Sequence, residues 1–300
     1  MASSMPDGGG AFDRHGAASP WRSALATLAR DRSAMAGLAI LVALALIALA
    51  APYVAPYSPI AQPDIVALKY LPPSLAHPFG TDQLSRDVLS RIIFGSRVSL
   101  SVAFLAVVVA ATVGTGYGAI AGYVGGNVDG LMMRVVDALL SIPRVLLLIA
   151  VATLWNGLEL SGLVLLLGLT GWFGVSRLVR TLVLSAREDE FVTAARALGA
   201  THTRILTHHI LPQVISPVLV AATLAIGNVI VIEAGLTFLG MGVRPPNASW
   251  GSIFYDGRDV GAAWWISMSA GVALIITVLA VNLLADGLRE ALNPRQLPAR

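Results

Sequence analysis

The sequence predicts an all-α integral membrane protein with six transmembrane helices. Of its 300 residues, 56% are hydrophobic and only 12% are charged, whereas soluble domains carry about 25% charged residues. A helix needs roughly 20 apolar residues to cross a hydrocarbon core about 30 Å thick. Five stretches with few or no charges reach that length, and a sixth reaches it with polar interruptions. Most of the chain is therefore expected to face lipid or other membrane helices.

The N-terminal part of the chain leads into a first span. Residues 1–33 are rich in Gly, Ser and Ala and are predicted to form a largely unstructured tail. The apolar run 34–54 is predicted to be the first transmembrane helix. A cleaved signal peptide is the alternative, but the polar lead is too long for an n-region and the apolar run is too long for an h-region.

The segment 55–97 is predicted to be a loop that carries one amphipathic helix. Six prolines hold residues 55–80 extended. A short helix is expected over 83–94, because its apolar side chains fall on one face at helical spacing and its charged side chains lie away from the centre of that face. We expect this helix to lie along the membrane surface.

The transmembrane core is expected to occupy 98–290, and a C-terminal tail follows over 291–300. Its five further spans are predicted at 98–121, 132–156, 161–183, 215–241 and 263–285. Four glycines of the second span have the small-residue spacing that lets helices pack closely: Gly114, Gly116, Gly118 and Gly122. The polar segment 185–212 lies between two spans and is predicted to be a helical hairpin.

The distribution of basic residues predicts how the chain is oriented in the membrane. With six spans, both termini and the hairpin 185–212 lie on one side. That side carries thirteen of the Lys and Arg residues, against six on the other side. Because basic residues collect on the cytoplasmic side of membrane proteins, both termini and the hairpin are predicted to be cytoplasmic and the loop 55–97 extracytoplasmic.

Several classes of function are excluded by what the sequence lacks. Lys69 is the only lysine and no Gly-x-x-x-x-Gly-Lys precedes it, so the chain has no phosphate-binding loop of the Walker type. Any energy for work must therefore come from another polypeptide. The chain has no cysteine, which excludes disulfides, thiolate metal sites and thiol redox chemistry.

Neither a metal site nor a nucleic-acid site is expected. His202, His208 and His209 do not form a His-Glu-x-x-His motif, and adjacent residues of a helix point about 100° apart. The arginines are spread through loops and are not gathered on one face, which is unlike a nucleic-acid-binding surface.

The hairpin 185–212 carries start and stop signals for two short helices. Ser185 and Glu188 have the spacing of a capping box; the preceding span running on through them is the alternative. Gly199 suits the left-handed position after the first helix. Thr201 is expected to cap the second helix and Pro212 to end it.

Small side chains dominate the first helix of this hairpin. Ala194, Ala195 and Ala197 present little bulk, so the backbone of another protein could approach closely. A polar hairpin held between two spans is placed to pass a force or a signal to a partner. An ordinary cytoplasmic loop made of good helix formers is the alternative, and spacing alone does not decide between the two.

The motifs of the chain resemble those of a known family. Ala194-Ala195-x-x-x-Gly199 followed by Ile210-Leu211-Pro212 resembles the EAA coupling motif of ABC importer permeases. The first loop carries Gly80-Thr81-Asp82 and then Arg86-Asp87, which is similar to the second permease subunit of the dipeptide, oligopeptide and nickel importers. Further motifs of that subgroup match at these positions: 122–129, 133–143, 233–242, 245–251 and 286–294. The resemblance covers about 75–295.

The resemblance implies a fold and a function. It implies the ABC type I importer permease architecture in the inner (plasma) membrane of a prokaryote. The chain would form half of the translocation pathway for peptides or a related small solute, such as a nickel chelate or glutathione, delivered by a substrate-binding protein. The hairpin 185–212 would be the coupling helix seated on an ATP-binding subunit.

The same resemblance implies the partners of the chain. They are a second homologous permease subunit in a heterodimer, two ATP-binding subunits and an extracytoplasmic substrate-binding protein, all arranged around a subunit embedded in membrane lipid. ATP and Mg would be bound by the partner subunits, so the chain itself is expected to be a transport subunit without a cofactor, not an enzyme.

Two positions depart from the family pattern. Thr193 stands where the coupling motif usually has Glu, before Ala194, Ala195 and Arg196, so a salt bridge from that position to an ATPase is in doubt. Ser85 stands where the first-loop motif usually has Gly. That serine argues against a strict need for a bare backbone at this position.

Ionisable and polar residues inside the spans are costly and usually face the protein interior or a water-filled cavity. Asp137 and Arg144 are spaced by two helical turns on one face, roughly 10 Å apart by helix rise, so each is expected to find a partner on another helix. Asn228, Glu233 and Asn282 are candidates to line the translocation pathway. A hydrogen bond between helices inside the subunit is the alternative role for such residues.

A stand-alone secondary transporter or channel without ATPase partners is the alternative function. Secondary transporters commonly carry internal repeats and broken helices. No internal repeat is found in this sequence, and six spans in one chain is small for that class. Co-purification with two ATP-binding subunits and a second permease separates the two functions.

Overall fold

The computed structural model describes residues 20–155, 159–258 and 261–292. Over these residues the protein is helical, with one isolated β-bridge between Thr81 and Asp87 in the first loop. Twelve α-helices and one π-helical turn follow one another along the described chain: α1 Pro20–Arg30, α2 Arg32–Leu49, α3 Ala51–Val54, α4 Val88–Val124, α5 Gly126–Leu140, α6 Arg144–Leu154, α7 Leu160–Arg187, α8 Glu190–Ala197, α9 His202–Arg204, the π-turn Ile205–Ile210, α10 Leu211–Phe238, α11 Trp250–Asp256 and α12 Trp264–Ala291.

Five helical runs among the described residues are long and apolar enough to cross a membrane. They are α2, α4, α7, the continuous run His202–Phe238 and α12. The helices α5 and α6 pass the same test together but are bent by 79° where they meet. By length and composition alone, this pair is either one broken span or a re-entrant loop.

The packing of α4 against α7 indicates that α5 and α6 form one broken span and not a re-entrant loop. Ala106, midway along α4, lies beside Gly168 in the first half of α7, and Gly122, near the end of α4, lies beside Arg180 in the second half of α7. The two helices are therefore parallel and begin on the same side. Because α4 ends on the side opposite to the one where α7 begins, the chain between them must cross back. The described residues thus contain six spans, as predicted.

Pro143 explains the break between α5 and α6. A proline has no backbone N–H, and it disfavours the helical conformation of the residue before it. Pro143 itself has an extended ψ of 121°, so α5 ends at Leu140 and α6 begins at Arg144. The single span predicted over 132–156 is therefore two helices, and it starts earlier than predicted, at Gly126.

The side of the membrane that carries the hairpin 185–212 is called the hairpin side below, and the side that carries residues 55–87 is called the loop side. The centre of the protein is an apolar cluster to which four helices contribute. Its buried members include Val102 of α4, Leu148 of α6, Leu167 of α7 and Ile230 of α10. Helices in a membrane associate through such close packing, because lipid is as apolar as the side chains.

Part of the expected N-terminal tail is helical. The helix α1 covers Pro20–Arg30, so the prediction of an unstructured tail is wrong for these residues. Ala24 and Leu28 of α1 are buried against Ala291, near the end of α12. Residues 1–19 and 293–300, which make up most of the two predicted tails, lie outside the described chain.

The prediction of a surface helix over 83–94 is wrong. The helix α4 begins at Val88 and continues without a break to Val124, whereas residues 83–87 form a turn. No proline interrupts the sequence from 88 to 124, so helical hydrogen bonding continues from the loop into the span. Apolar residues at helical spacing predict both a surface helix and the first turns of a span, which is why the pattern did not separate them.

The hairpin differs from its prediction at both ends. The helix α7 runs through Ser185 to Arg187, so these residues continue the span and do not cap a new helix. Pro212 does not end the second helix, because the chain continues as α10. The π-turn before Pro212 has the N–H of Leu211 donating to the carbonyl of Leu206. Such a wider turn accommodates a proline, which lacks an N–H and crowds the preceding turn.

Candidate functional site

The first helix of the hairpin, α8, lies with one face against the membrane spans of its own chain. Val192 and Ala195 are buried in an apolar cluster with Val183 of α7, Ile205 of the π-turn and Val214 of α10. This cluster holds α8 against the ends of two membrane spans. The hairpin is thus a structured extension of the spans and not a mobile tether between them.

The opposite face of α8 is exposed. Thr193, Ala194 and Arg196 are exposed there, and Leu198, just beyond the helix, is 89% exposed. Ala195 is not part of this face, so the prediction that its small side chain admits a partner's backbone is wrong. The alternation follows from helical geometry, since adjacent residues point about 100° apart.

The end of α8 has the conformation that the sequence predicts. Gly199 has a positive φ of 81°, its N–H donates to the carbonyl of Arg196, and the N–H of Ala200 donates to the carbonyl of Ala195. This pair of bonds is the Schellman motif, which favours glycine at the left-handed position. Thr201 caps the next helix, because its hydroxyl accepts a hydrogen bond from the N–H of Arg204.

The hairpin is also tied to the end of α4. The hydroxyl of Tyr123 lies 3.0 Å from Nδ1 of His202, and the guanidinium of Arg187 donates to the carbonyl of Tyr123 at 3.3 Å. Tyr123, Arg187 and Arg196 line a cavity of about 370 Å³ on the hairpin side. Three spans, α4, α7 and α10, therefore converge on the hairpin.

The remaining residues of the predicted coupling motif lie in the second half of the hairpin. Ile210 is buried in the cluster beneath α8, Leu211 is half-buried and Pro212 is exposed. Thr193 lies on the exposed face, and its hydroxyl lies 3.5 Å from the carbonyl of Asp189. The motif is thus divided between residues that hold the hairpin in place and residues that it presents outward.

On the loop side, the first-loop motif forms a buried ionic network. One carboxylate oxygen of Asp82 accepts hydrogen bonds from the backbone N–H groups of Leu84 and Arg86. The other accepts from Nε of Arg86, at 2.6 Å, and from the guanidinium of Arg91. Both arginines also contact Asp256 of α11, at 3.2 and 2.8 Å. The network joins the loop to α4 and α11.

The rest of the motif starts α4 and fixes the loop to α12. Asp87 caps α4 by accepting a hydrogen bond from the N–H of Ser90, at 2.7 Å, and it also contacts Nδ1 of His77 at 2.9 Å. Gly80 has a positive φ of 69°. A side chain at Gly80 would collide with Trp265 of α12, whose indole N–H donates to the carbonyl of Thr81 at 3.2 Å.

Ser85 occupies a turn that favours glycine without requiring it. It has a positive φ of 61° and is buried, and its hydroxyl has no hydrogen-bond partner among the described residues. Glycine adopts this left-handed conformation readily, whereas other L-residues do so at a free-energy cost. The turn therefore favours a bare backbone at position 85, but it does not strictly need one, since a serine adopts this conformation.

Asp137 and Arg144 each contact α7. Asp137 lies 3.4 Å from the guanidinium of Arg177, and both side chains are more than half exposed. The guanidinium of Arg144 donates to the carbonyl of Leu167 at 3.0 Å and lies 3.4 Å from the hydroxyl of Thr170. These contacts agree with the expectation of partners on another helix. The two residues do not share one helix face, since the break at 141–143 lies between them.

Glu233 lies in the interior of the protein. Its side chain is fully buried, it accepts a hydrogen bond from the hydroxyl of Thr237 at 2.9 Å, and it lies 3.3 Å from the hydroxyl of Ser99 on α4. The same Ser99 hydroxyl accepts from the N–H of Trp250 at the start of α11. Glu233 thus links α4, α10 and α11, which is the structural alternative to lining the pathway.

Asn228 of α10 and Asn282 of α12 are exposed on the surface of the subunit, within membrane spans. A polar side chain in the apolar layer normally faces protein or water. Both therefore stay candidates for the pathway or for a contact with a second subunit.

Two residues of these networks were not singled out from the sequence. Ser99 looks like one of many small polar residues in a span. Asp256, the last residue of α11, matches no motif found in the sequence. Their roles arise from contacts across more than a hundred residues of chain, to Glu233 and to Arg91.

Two protein families match the chain. Residues 114–297 match the family described as the binding-protein-dependent transport system inner membrane component. Residues 19–73 match the N-terminal transmembrane domain of oligopeptide transport permease C. The two matches together cover most of the chain.

Similar proteins include named transport permeases. The dipeptide transport system permease protein DppC of Alkalihalophilus pseudofirmus is 39% identical, over 94% of this chain and 92% of that protein. A putative peptide transport system permease protein of Brucella abortus is 41% identical, over 89% and 90%. The DppC protein of Bacillus subtilis is 37% identical, over 89% and 83%.

A solved structure has a similar fold. It is an inward-facing conformation of the MetNI methionine ABC transporter, with a TM-score of 0.56, 21% identity, and coverage of 68% of this chain and 97% of that chain. At this identity the likeness concerns the fold alone.

Proposed function

This chain belongs to the inner membrane components of binding-protein-dependent transport systems, and we propose that it forms half of the translocation pathway of an ABC importer for short peptides. It is a multi-pass permease subunit. A second homologous permease completes the pathway as a heterodimer, two ATP-binding subunits supply the energy, and an extracytoplasmic binding protein delivers the peptide.

The hairpin 185–212 carries the proposal of ATPase coupling. One face of α8 is buried against α7 and α10, and the other face is exposed on the side that the arginine distribution assigns to the cytoplasm. A partner that moves the exposed face would move the ends of these two spans with it, because the buried face is packed against them. The chain has no Walker lysine of its own, so the partner must bind the ATP.

The character of the exposed face suggests how the partner is contacted. Thr193 offers no charge where the family usually has Glu, whereas Ala194 and Ala197 leave room and Leu198 projects an apolar side chain. We therefore propose a contact made mainly by shape and apolar area, with Leu198 in a pocket of the ATP-binding subunit. An aliphatic anchor in a pocket is one of the arrangements on which a binding interface is built.

The second permease is proposed to cover the broken span. Along α5 and α6, large apolar residues are exposed, among them Leu131, Val135 and Leu146, and the polar Asn228 lies exposed on α10. Apolar residues alone could face lipid, but an amide in the apolar layer calls for protein or water. Peptide as the substrate class is supported by the names of the similar permeases.

The test uses the whole complex reconstituted in proteoliposomes with the binding protein. Ala194→Trp places a large side chain on the exposed face of α8 and is expected to abolish peptide-stimulated ATP hydrolysis and release the ATP-binding subunits. Ala26→Trp is the matched control, since Ala26 is also exposed on the hairpin side but lies on α1. This control should keep normal hydrolysis and normal co-purification.

The buried neighbour of Ala194 gives a second comparison. Ala195→Trp should reduce the yield of folded protein, because Ala195 is packed in the cluster beneath α8. Normal peptide-stimulated hydrolysis in the Ala194→Trp complex would contradict coupling through this face. A wild-type chain that purifies as a homo-oligomer, without ATP-binding subunits, would contradict the importer as a whole.

A further inference from the structure

A cavity of about 550 Å³ opens on the loop side between the start of α7 and the loop that follows α10. Its walls include Glu159, Ser161, Leu163, Val243, Arg244 and Asn247. Pockets that bind small molecules commonly have volumes of roughly 300–1,000 Å³. This cavity lies on the side from which the proposed binding protein delivers its cargo.

Two opposite charges line this cavity without neutralising one another. Glu159 and Arg244 are both exposed, and no ion pair within 4 Å joins either of them to any residue that the structure describes. A carboxylate and a guanidinium facing one cavity, yet apart, leave room for a ligand that carries both charges.

The neighbouring cavity shows by contrast that Arg244 is an uncompensated cation. That cavity, of about 270 Å³, shares the wall at Val243, Arg244 and Asn247 and contains Arg86 and Arg91. Both of these arginines contact Asp82 and Asp256, so two cations there face two anions. Arg244 has no such partner among the described residues and is available to bind an anionic ligand.

We propose that the larger cavity receives the free ends of a short peptide, with Glu159 binding the α-ammonium group and Arg244 the α-carboxylate. This inference rests on the proposed function as a peptide importer. Two peptide residues span at most about 7 Å, which fits a cavity of this size. Ser161 and Asn247 can hydrogen-bond the peptide amide.

The remaining walls explain how one site serves many side chains. Leu163 and Val243 offer apolar surface without a polar group that would demand a particular partner. Specificity in such a site comes from the charges at the two ends, since a polar group left unpaired is rejected far more strongly than a change in apolar size. The cavity would therefore select for the zwitterionic backbone and tolerate varied side chains.

The test measures uptake of labelled dialanine by the reconstituted complex at increasing concentrations of peptide-loaded binding protein. Arg244→Gln and Glu159→Gln should each lower the maximal uptake rate about tenfold, the effect of losing one charge-assisted hydrogen bond. The concentration of binding protein that gives half-maximal uptake should not change. Arg244→Lys and Glu159→Asp keep the charges and should retain most of the wild-type rate.

Lys69→Gln is the matched control, because Lys69 is an exposed cation of the loop side outside this cavity. It should leave uptake unchanged. Variants of Glu159 and Arg244 that behave like this control would overturn the site. So would a raised half-maximal concentration of binding protein at an unchanged maximal rate, since these residues would then dock the binding protein. If the wild-type complex hydrolyses ATP but imports no dialanine, the proposal of a peptide substrate is contradicted, and the proposed peptide site is contradicted with it.

Discussion

Gly118 of α4 packs directly against the backbone of Ser176 on α7, with no space between them for a side chain. A Cβ atom at position 118 would overlap the carbonyl oxygen of Ser176 and would lie 2.9 Å from Cβ of Val179. Glycine permits this approach because it has no side chain, and close backbone contact is a main source of helix association in membranes. The parallel pairing of α4 and α7, which positions the hairpin, depends on it.

Gly118→Ala is therefore expected to weaken the subunit. The added methyl group would force the two helices apart, and overpacking of this kind typically destabilises by about 1–3 kcal/mol. The measurement is the thermal unfolding midpoint of the purified protein in detergent. Gly116→Ala is the matched control, because a Cβ at Gly116 meets nothing within 4 Å. Equal midpoints for the two variants would contradict the close contact at Gly118.

Ser85→Gly is expected to stabilise the protein. Ser85 holds a left-handed conformation with a φ of 61°, and the cost of that conformation for a non-glycine residue is about 1–2 kcal/mol. Glycine removes this cost but adds freedom to the unfolded chain, worth about 0.4–1 kcal/mol. The net gain expected is about 1 kcal/mol or less, seen as a higher unfolding midpoint.

Ser85→Ala separates the two sources of strain at this position. Alanine removes the hydroxyl that lacks a partner among the described residues but keeps the unfavourable φ. Its gain should be smaller than that of Ser85→Gly. If alanine stabilises as much as glycine, the buried hydroxyl and not the backbone conformation is the cause.

The hydropathy of the sequence predicted the six spans. A backbone in lipid must satisfy its hydrogen bonds internally, and in this chain long apolar helices do so. Two helix boundaries were also predicted correctly from the sequence. Gly199 ends α8 because it adopts a positive φ, and Thr201 starts α9 because its hydroxyl caps the helix. The sequence showed Pro143 as an interruption of the span. It did not predict the angle between α5 and α6, because the packing of these helices against their neighbours sets that angle.

The directions of side chains were less predictable. Ala194 and Ala195 are the same residue type, and only the packing of α8 against α7 decides which one faces outward. The glycine that is usual at position 85 is the one sequence signal of the strain at Ser85, because the turn itself is fixed by hydrogen bonds to Asp82. The packing of α8 determines the first feature, and the local hydrogen bonds of Asp82 determine the second.

Asp82→Asn is expected to destabilise the loop side strongly. Asp82 is fully buried and accepts from both Arg86 and Arg91, so the neutral amide would leave two buried guanidinium groups with Asp256 as their shared carboxylate. Removing one partner of a buried ion pair typically costs about 3–5 kcal/mol. The unfolding midpoint and the fraction of monodisperse protein in detergent should both fall.

Asp64→Asn is the control for this substitution. Asp64 lies in the same loop, and the backbone N–H groups of Ala67 and Val66 hold the pKa of its carboxyl below the ordinary value. It is exposed and contacts no arginine among the described residues, so its loss should be minor. Asp256→Asn should lie between the two, because Asp256 is partly exposed. An Asp82→Asn protein as stable as Asp64→Asn would contradict the ionic network.

Glu233→Ala is expected to change the stability of the protein, whereas Asn228→Ala is expected to change its transport activity or its assembly. Glu233 is buried and is contacted by the hydroxyls of Ser99 and Thr237, and leaving a buried polar group without its partner costs about 1–3 kcal/mol. Glu233→Ala should therefore lower the unfolding midpoint and the yield of assembled complex. Asn228 is exposed within a span, so its substitution should leave stability unchanged and alter peptide uptake per assembled complex or binding of the second permease.

Glu233→Gln completes this comparison, since the amide keeps the shape of the side chain and one acceptor oxygen. Its midpoint should lie between those of wild type and Glu233→Ala, because one of the two hydroxyls must then reorient to accept from the amide. Uptake per assembled complex should stay near the wild-type value in both Glu233 variants. A large loss of uptake with normal stability in Glu233→Ala would instead place this carboxylate in the pathway, against the buried position between α4, α10 and α11.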